Sequence, residues 1–324
     1  MDEAHVRAHL LKKGLATNVF DIQEISEGLL NALFLAHTDR GSMVVKRYGD
    51  FIKSDPRVKL PGDRYPVEKN AYLLLSQLFD ESPTPRLLDF DDDTKTLVIE
   101  ALNPTDRLDR SLLNLEPQAF TRIGQILGMI VKGTYKRSEL REVFGNTAFQ
   151  ELKYKLKYYD NITNPKHHPV RDALMMRTRS NKVALMLGDV RLTNLFVRSD
   201  QVRLIDFEGA YFCDATIDIA YLFTEIFIHF CDSPSVRLEN DLRALWSGFT
   251  HACMLEDHAA FEETVVKHIG FHLIDQIIGV IKQEYTFVQH PQSILQVADT
   301  IITDDNIRTL DHVLSLVPVK SHSL

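Results

Sequence analysis

The sequence predicts an α+β protein of two lobes, a small N-terminal lobe built on an antiparallel sheet and a larger helical lobe after it. Two observations predict this division. Short β-like runs alternate with helical patterns up to residue 102, and helical patterns dominate from residue 103 onward. The dipeptide Asn103-Pro104 fits a linker at the change, because proline disfavours helix at the residue before it. We therefore expect an N-terminal lobe over residues 1–102 and a helical lobe over residues 103–324.

The N-terminal lobe is expected to contain a hairpin, because two apolar runs flank the polar segment 37–42. Its other elements follow from periodicity, except in residues 50–66, where three prolines predict an irregular loop. The predicted helices span 2–13 and 67–79, and the predicted strands span 31–36, 43–48, 86–90 and 96–101.

The helical lobe is predicted from helical patterns that are interrupted once, by short β-like runs. The predicted helices span 117–132, 148–159, 168–179, 216–230, 235–254, 259–284, 291–303 and 305–316. The β-like runs span 184–187, 194–198 and 202–206.

Composition argues against several classes of partner. The chain has a formal net charge of −8 and no dense Lys/Arg block, which disfavours nucleic acid and anionic membranes. Cys213, Cys231 and Cys253 are far apart and predict reduced thiols rather than disulfides or a zinc site. The first residues show no basic region followed by an apolar run, so a cytoplasmic location is expected. The sequence leaves the oligomeric state open, and a homodimer is compatible with it.

One segment of the helical lobe carries polar residues in a pattern that suits phosphoryl transfer. Asp189 follows an apolar run, Asn194 comes five residues later, and a predicted hairpin then leads to Asp206. Phosphoryl transfer needs a carboxylate to accept a hydroxyl proton, and an amide oxygen and a second carboxylate to hold Mg²⁺. The alternative is that all three are turn or strand-end residues. Their combined spacing favours the functional interpretation.

The segment resembles the catalytic and metal motifs of the aminoglycoside phosphotransferase and choline kinase family, which read H-G-D-x-x-x-x-N and then I-D-x-[DEG]. The chain keeps Asp189, Asn194, Asp206 and Glu208, and it has Leu187 where the family usually has His. The resemblance implies a protein-kinase-like fold, with ATP and Mg²⁺ as cofactors. It also implies that Asp189 is the catalytic base and that the other three matching residues hold the metal.

The N-terminal lobe should supply the nucleotide contacts of such a fold. Lys46, in an apolar strand, is expected to hold the α- and β-phosphates, with Glu68 of the next helix orienting it. The alternatives are a strand lysine that reaches solvent and a first-turn acid matched to the helix dipole. Gly28 lies where a phosphate-covering loop is expected, although a plain hairpin turn explains it nearly as well. The backbone of Glu100 and Leu102 is expected to bind adenine.

The resemblance also bears on the acceptor. Residues 27–34 are similar to the G-N-L-N-x-V-F loop of the methylthioribose kinases, and Asp206-Phe207-Glu208 matches their D-x-E motif. We expect a kinase that phosphorylates a hydroxyl of a small molecule: a sugar such as methylthioribose, an amino alcohol or an aminoglycoside-like compound. The alternatives are an inactive nucleotide-binding scaffold and a protein-directed kinase. Leu187 supports the scaffold, and Glu208 disfavours the protein kinase. Asp218 is expected to support the catalytic loop rather than to react.

Overall fold

The first part of the chain forms a five-stranded antiparallel sheet. The computed structural model describes residues 2–26, 30–51, 59–60, 62–145, 147–254, 257–279 and 285–317. The strands are β1 (Val19–Glu24), β2 (Ala32–Thr38), β3 (Gly41–Arg47), β4 (Leu87–Asp91) and β5 (Thr96–Glu100), in the order β1-β2-β3-β5-β4. The predicted hairpin is confirmed, and its turn is shorter than expected because Thr38 pairs with Gly41.

Two helices accompany the sheet, α1 (Glu3–Lys12) and α2 (Arg64–Leu78). The Asp2 side chain caps α1 by accepting from the His5 amide at 2.9 Å. The predicted start of the second helix at residue 67 was three residues late. Pro66 misled the prediction, because a proline in the first helical turn removes no intrahelical hydrogen bond.

The remainder of the chain is mostly helical. Its helices are α3 (Leu108–Ser111), α4 (Pro117–Thr134), α5 (Leu140–Val143), α6 (Thr147–Tyr154), α7 (His168–Ser180), α8 (Thr216–Asp232), α9 (Val236–Cys253), α10 (His258–Ile278), α11 (Pro291–Thr303) and α12 (Leu310–Ser315). Short 3-10 turns lie at Pro104–Asp106, Leu112–Asn114, Pro165–His167 and Leu192–Asn194. Among the described residues, no helix combines the length and apolar character that a membrane span requires.

Helix α4 packs closely on α9, and glycines permit the approach. A Cβ added to Gly124 would lie 2.1 Å from the carbonyl oxygen of Leu245, and one added to Gly248 would lie 2.2 Å from that of Thr121. Both glycines therefore let one backbone touch the other. This helix pair and the long, buried α8 belong to one continuous apolar core that also includes the inner face of α2.

Short strands interrupt the helices, as the sequence predicts. Strand β7 (Leu195–Arg198) pairs with β8 (Gln201–Leu204), and β6 (Ala184–Met186) pairs with β9 (Tyr211–Cys213). We did not predict β9, because a run of three residues carries too little periodicity to be recognised.

Three predicted helices differ from the structure. The predicted helix 259–284 ends at Ile278, and residues 280–284 lie outside the described residues. The predicted helix 148–159 is the α-helix α6, followed by a π-helical segment at Lys155–Asp160. The predicted last helix, 305–316, is shortened to α12, whose cap is the Thr309 side chain accepting from the His312 amide at 3.3 Å.

Candidate active site

The loop from residue 187 to residue 194 connects β6 to β7, and its shape depends on two glycines. Gly188 has a φ of 82°, a conformation that favours glycine. A Cβ added there would lie 2.1 Å from the carbonyl oxygen of Gly209, so the 187–194 loop packs directly on the segment after Asp206. The D-x-x-x-x-N motif and the I-D-F-E motif are therefore adjacent in space.

Asp218, in the first turn of α8, anchors this loop. Its carboxylate accepts the backbone amides of Leu187 at 2.6 Å and Gly188 at 3.0 Å. The predicted supporting role of Asp218 is confirmed by these two hydrogen bonds. Burial raises the pKa of Asp218 to about 6, although both amides act in the opposite direction. Since Leu187 contributes its backbone to the anchor and only 2% of the residue is exposed, the loop does not depend on a histidine side chain there.

Asp189 and Asn194 lie next to each other within the loop. The Nδ2 of Asn194 donates to the backbone oxygen of Asp189 at 3.0 Å and to its Oδ2 at 3.2 Å. Lys153 of α6 approaches from outside the loop, with its Nζ 3.9 Å from Oδ1 of Asp189 and 2.8 Å from the carbonyl oxygen of Gly188. Asp189 therefore has a fixed orientation and a cation on one side.

The charges around Asp189 keep it ionised. Burial opposes the charged form, but Lys153, Arg191 and Lys157 outweigh burial and hold the pKa of Asp189 below its ordinary value. Arg191 in turn lies 3.4 Å from Oε1 of Glu225, a buried acid of α8. An ionised carboxylate at this position can accept a proton from a hydroxyl group.

Lys46 of β3 lies between two acids from different parts of the chain. Its Nζ donates to Oε2 of Glu68 at 2.8 Å and to Oδ1 of Asp206 at 2.6 Å. The hydroxyl of Tyr48 also donates to Glu68. Asp206 follows β8 with a φ of 67°, which turns the chain sharply after the strand. The structure thus brings together three residues that the sequence analysis assigned to nucleotide and metal binding.

Glu208 is held by two residues that the sequence analysis did not assign to the site. Its Oε2 accepts from Nη1 of Arg64 at 2.9 Å and from Nδ2 of Asn31 at 2.6 Å. Arg64 is only 1% exposed, and it also donates to the carbonyl oxygen of Gly49 at 2.6 Å. Its position in a proline-containing stretch made Arg64 look like a loop residue. A local sequence signal for its role was lacking.

Oxygen atoms of Glu68, Asp206 and Glu208 all lie within 4.8 Å of one another. Carboxylate oxygens are the ligands that Mg²⁺ prefers, so this donor set fits the metal. Asp206 is the more accessible of the two acids assigned to the metal, since 34% of its side chain is exposed against 7% for Glu208. The predicted ligand Asn194 lies on the neighbouring loop, so the site combines carboxylate and amide groups.

Lys46 and the acids around it shift one another's pKa values. Burial opposes the charge of Lys46, but Asp206, Glu68 and Glu208 raise the pKa of Lys46 well above its ordinary value. Burial raises the pKa of Glu68 to about 7, against the attraction of Lys46. The acids thus keep the lysine charged, and a divalent cation would relieve the repulsion among them.

The predicted adenine contacts lie at the end of β5. The amide of Glu100 donates to the carbonyl oxygen of Arg86 at 2.9 Å, and that of Ala101 donates to Ser42 at 3.1 Å. Within the described residues, the Leu102 amide makes no hydrogen bond, which leaves it able to donate to a ligand. Gly28 lies outside the described residues.

This fold and site define a phosphotransferase with a protein-kinase-like architecture. A family model described as the phosphotransferase enzyme family matches residues 21–256, and the chain belongs to that family. The resemblance drawn from the 187–208 segment is confirmed, as is the prediction of a small-molecule kinase as the class of enzyme.

Curated relatives are similar at low identity. The methylthioribose kinase of Klebsiella pneumoniae strain 342 is 24% identical over 277 residues, which cover 70% of this chain and 67% of that protein. The methylthioribose kinase of Pectobacterium atrosepticum is 22% identical over 299 residues, which cover 77% of this chain and 73% of that protein.

Solved structures confirm the fold. A choline/ethanolamine kinase family protein from Mesorhizobium loti has a TM-score of 0.56 at 15% identity, covering 98% of this chain and 99% of that one. An amicoumacin kinase in complex with AMP-PNP and Ca²⁺ has a TM-score of 0.58 at 14% identity, covering 95% of this chain and 98% of that one. The predicted two-lobed, kinase-like α+β fold is confirmed.

Proposed function

We propose that this protein transfers the γ-phosphoryl group of ATP to a hydroxyl of a small molecule, with Mg²⁺ as the metal. The observation that carries the proposal is the position of Lys46, which contacts Glu68 at 2.8 Å and Asp206 at 2.6 Å. A lysine held between a helix acid and a metal-binding acid is the phosphate-binding arrangement of kinases. Family membership supports the same reaction.

Each residue of the site has a role in this proposal. Asp189 orients the acceptor hydroxyl and takes its proton, while Lys46 binds the α- and β-phosphates of the nucleotide. Asn194, Asp206 and Glu208 hold Mg²⁺, which when bound offsets charge on the phosphates.

The adenine ring belongs, in this proposal, at the boundary between a nucleotide-binding lobe, residues 1–102, and a catalytic and substrate-binding lobe, residues 103–324. The carbonyl oxygen of Glu100 and the amide of Leu102 are the groups that bind it. The lack of a hydrogen bond to the Leu102 amide within the described residues supports this position.

The acceptor class that relatives support is a sugar such as methylthioribose, since two relatives bear that name. Structural neighbours act on other alcohols: one is a spectinomycin phosphotransferase solved with ADP and spectinomycin, with a TM-score of 0.55 at 12% identity over 98% of both chains. Amino alcohols and aminoglycosides are therefore the other candidates.

The decisive experiment measures ATP consumption against a panel of sugars, amino alcohols, hydroxy acids and aminoglycosides. We expect turnover with at least one acceptor, and we expect Asp189→Asn to lose turnover while binding Mg-ATP normally. Normal Mg-ATP binding with no turnover of any acceptor would instead support a nucleotide-binding scaffold. Turnover of Asp189→Asn at the parent rate would show that Asp189 is not the base.

A further inference from the structure

A second lysine, four positions after Lys153, lies on an unusual piece of backbone, and its charge acts on Asp189. Lys157 lies in the π-helical segment Lys155–Asp160, which continues α6. Single-turn π-helical segments are rare and occur often at functional sites. The Nζ of Lys157 lies 3.6 Å from the centroid of the Tyr221 ring, and it makes no hydrogen bond to any residue the structure describes. This ammonium group therefore has donors left for a ligand.

The two acids that act on the charge of Lys157, Asp189 and Asp275, already have other partners. Asp275 accepts from Nδ2 of Asn161 at 2.8 Å. Asp189 accepts from Nδ2 of Asn194 at 3.2 Å and lies 3.9 Å from the Nζ of Lys153. Within the described residues, neither acid forms an ion pair with Lys157 at 4.0 Å or less, so its ammonium group keeps an unpaired positive charge.

Two other cations act on the same carboxylate as Lys157. Lys153 and Arg191 also contribute positive potential at Asp189, and each of them already has an oxygen partner in the chain. An acceptor with an ammonium group would meet repulsion from Lys157 here, and the acids Asp189 and Asp275 already accept from Asn194 and Asn161. An acceptor with a carboxylate would complete the charge balance.

We propose that the acceptor carries a carboxylate beside its hydroxyl, and that the Lys157 ammonium binds this carboxylate. The inference rests on the proposed kinase function and names the substrate class: hydroxy acids. Lys157 acts as a specificity-determining residue and takes no part in bond making. The P–O bond to ADP breaks, a P–O bond to the acceptor hydroxyl forms, and the hydroxyl proton passes to Asp189.

The electrostatics of Lys157 agree with this role. Burial, together with the like charge of Lys153, lowers the pKa of Lys157 to about 8, even though Asp189 and Asp275 act in the opposite direction. A bound carboxylate would restore the charged form of the lysine. The ligand thereby supplies a counter-charge, which none of the residues that the structure describes places in contact with Lys157.

Matched acceptors test the substrate class. D-glycerate is compared with glycerol, and D-gluconate with D-glucose, alongside methylthioribose as a neutral acceptor and choline as a cationic one. We expect kcat/KM to be higher for the carboxylated member of a pair by about 10-fold or more, because a charge-assisted hydrogen bond contributes on that scale. A neutral or cationic acceptor that exceeds every carboxylate overturns this inference and leaves the kinase function standing.

Binding provides an independent result. Titration calorimetry with D-gluconate and D-glycerate uses enzyme loaded with Mg²⁺ and a non-hydrolysable ATP analogue. We expect at least one carboxylate to bind. If neither binds, the inference is overturned whatever the enzyme turns over; if Mg-ATP binds but no acceptor at all reacts, the kinase function fails separately.

Variants of Lys157 test whether this residue binds the carboxylate. We expect Lys157→Met to raise the KM of the carboxylated acceptor by about 10- to 100-fold with the KM of ATP little changed, and Lys157→Arg to recover part of the loss. The matched control is Lys155→Met, which removes an exposed lysine of the same segment that pairs with Asp160 at 2.7 Å. An equal rise in KM for the carboxylate and its neutral counterpart would assign Lys157 a structural role and overturn the proposal.

Discussion

The Nζ of Lys46 and the Oδ1 of Asp206 lie 2.6 Å apart although 160 positions separate the two residues in the chain. This contact joins the five-stranded sheet to the hairpin β7–β8 that follows the 187–194 loop. Because Lys46 also binds Glu68, one ammonium group compensates two acids at once. The folded arrangement of Glu68 and Asp206 therefore depends on the positive charge of Lys46.

Replacing Lys46 with methionine should make the stability of the protein depend on a divalent cation. The variant leaves acids in a buried cluster without their lysine, which costs about 3–5 kcal/mol of unfolding free energy. We expect Mg²⁺ to raise the melting temperature of Lys46→Met more than that of the parent, as measured by thermal unfolding. Lys95→Met is the control, since it removes only an exposed pair with Asp50. The same response to Mg²⁺ in all three proteins would contradict the prediction.

Asp206 and Glu208 should affect metal dependence unequally. The side chain of Asp206 is 34% exposed. The buried Glu208, in contrast, already accepts hydrogen bonds from Arg64 and Asn31. We therefore expect Asp206→Ala to raise the Mg²⁺ concentration needed for half-maximal activity more than Glu208→Gln does. Glu208→Gln should mainly lower stability, because it leaves Arg64 buried beside a neutral group. The comparison uses Mg²⁺ titrations of activity and denaturant unfolding, and a larger metal effect for Glu208→Gln would reverse the assignment.

Gly209→Ala should act through Lys153. An added Cβ would lie 2.3 Å from the Nζ of Lys153, so the lysine must move away from Gly188. We expect Gly209→Ala to lower kcat about 10-fold. The double variant Gly209→Ala/Lys153→Met should be no slower than Lys153→Met alone, because the effects of coupled residues are not additive. Gly62→Ala is the control, since nothing lies within 4 Å of its added Cβ. Additive losses in the double variant would show that the glycine acts by another route.

Lys153→Met should also move the pH profile of the reaction. Lys153 is the first of the cations that hold the pKa of Asp189 below its ordinary value against burial. Without that charge the base binds its proton more tightly, so the acidic limb of kcat/KM is expected to shift to higher pH. If the pH profile of the variant coincides with that of the parent, Lys153 does not influence the ionisation of Asp189.

The free energy of unfolding should depend on pH through the buried carboxyl group of Asp275. Burial, against the charge of Lys157, raises the pKa of Asp275 from 3.8 to about 6. The folded state then binds the proton more tightly than the unfolded state, so this contribution is complete below about 3.8 and is lost as pH rises to about 6. We expect the unfolding free energy of the parent, relative to Asp275→Asn, to fall across that window by about 1–3 kcal/mol in urea titrations. A flat difference would contradict the raised pKa.

Local patterns in the sequence predicted much of the fold and the order of the site motifs. The hairpin of β2 and β3 follows from apolar runs around a polar turn, and α4 and α11 follow from periodicity and a proline at the first helical position. The roles of Asp189, Asn194 and Asp206 stay predictions, although the structure brings all three to one place. The start of α2 was missed because Pro66 suggested a loop, and β9 was missed because three residues carry too little periodicity.

The sequence by itself determined the elements, the kinase-type motifs and their order, because turn chemistry, periodicity and motif spacing act over a few residues. Only the tertiary structure decided that Arg64 holds Glu208 across 144 positions and that the charge of Lys157 acts on Asp189. Such relationships depend on how distant segments pack, and the buried Arg64 is tolerated because packing supplies Glu208 as its partner. Neither relationship is encoded in the residues next to Arg64 or Lys157.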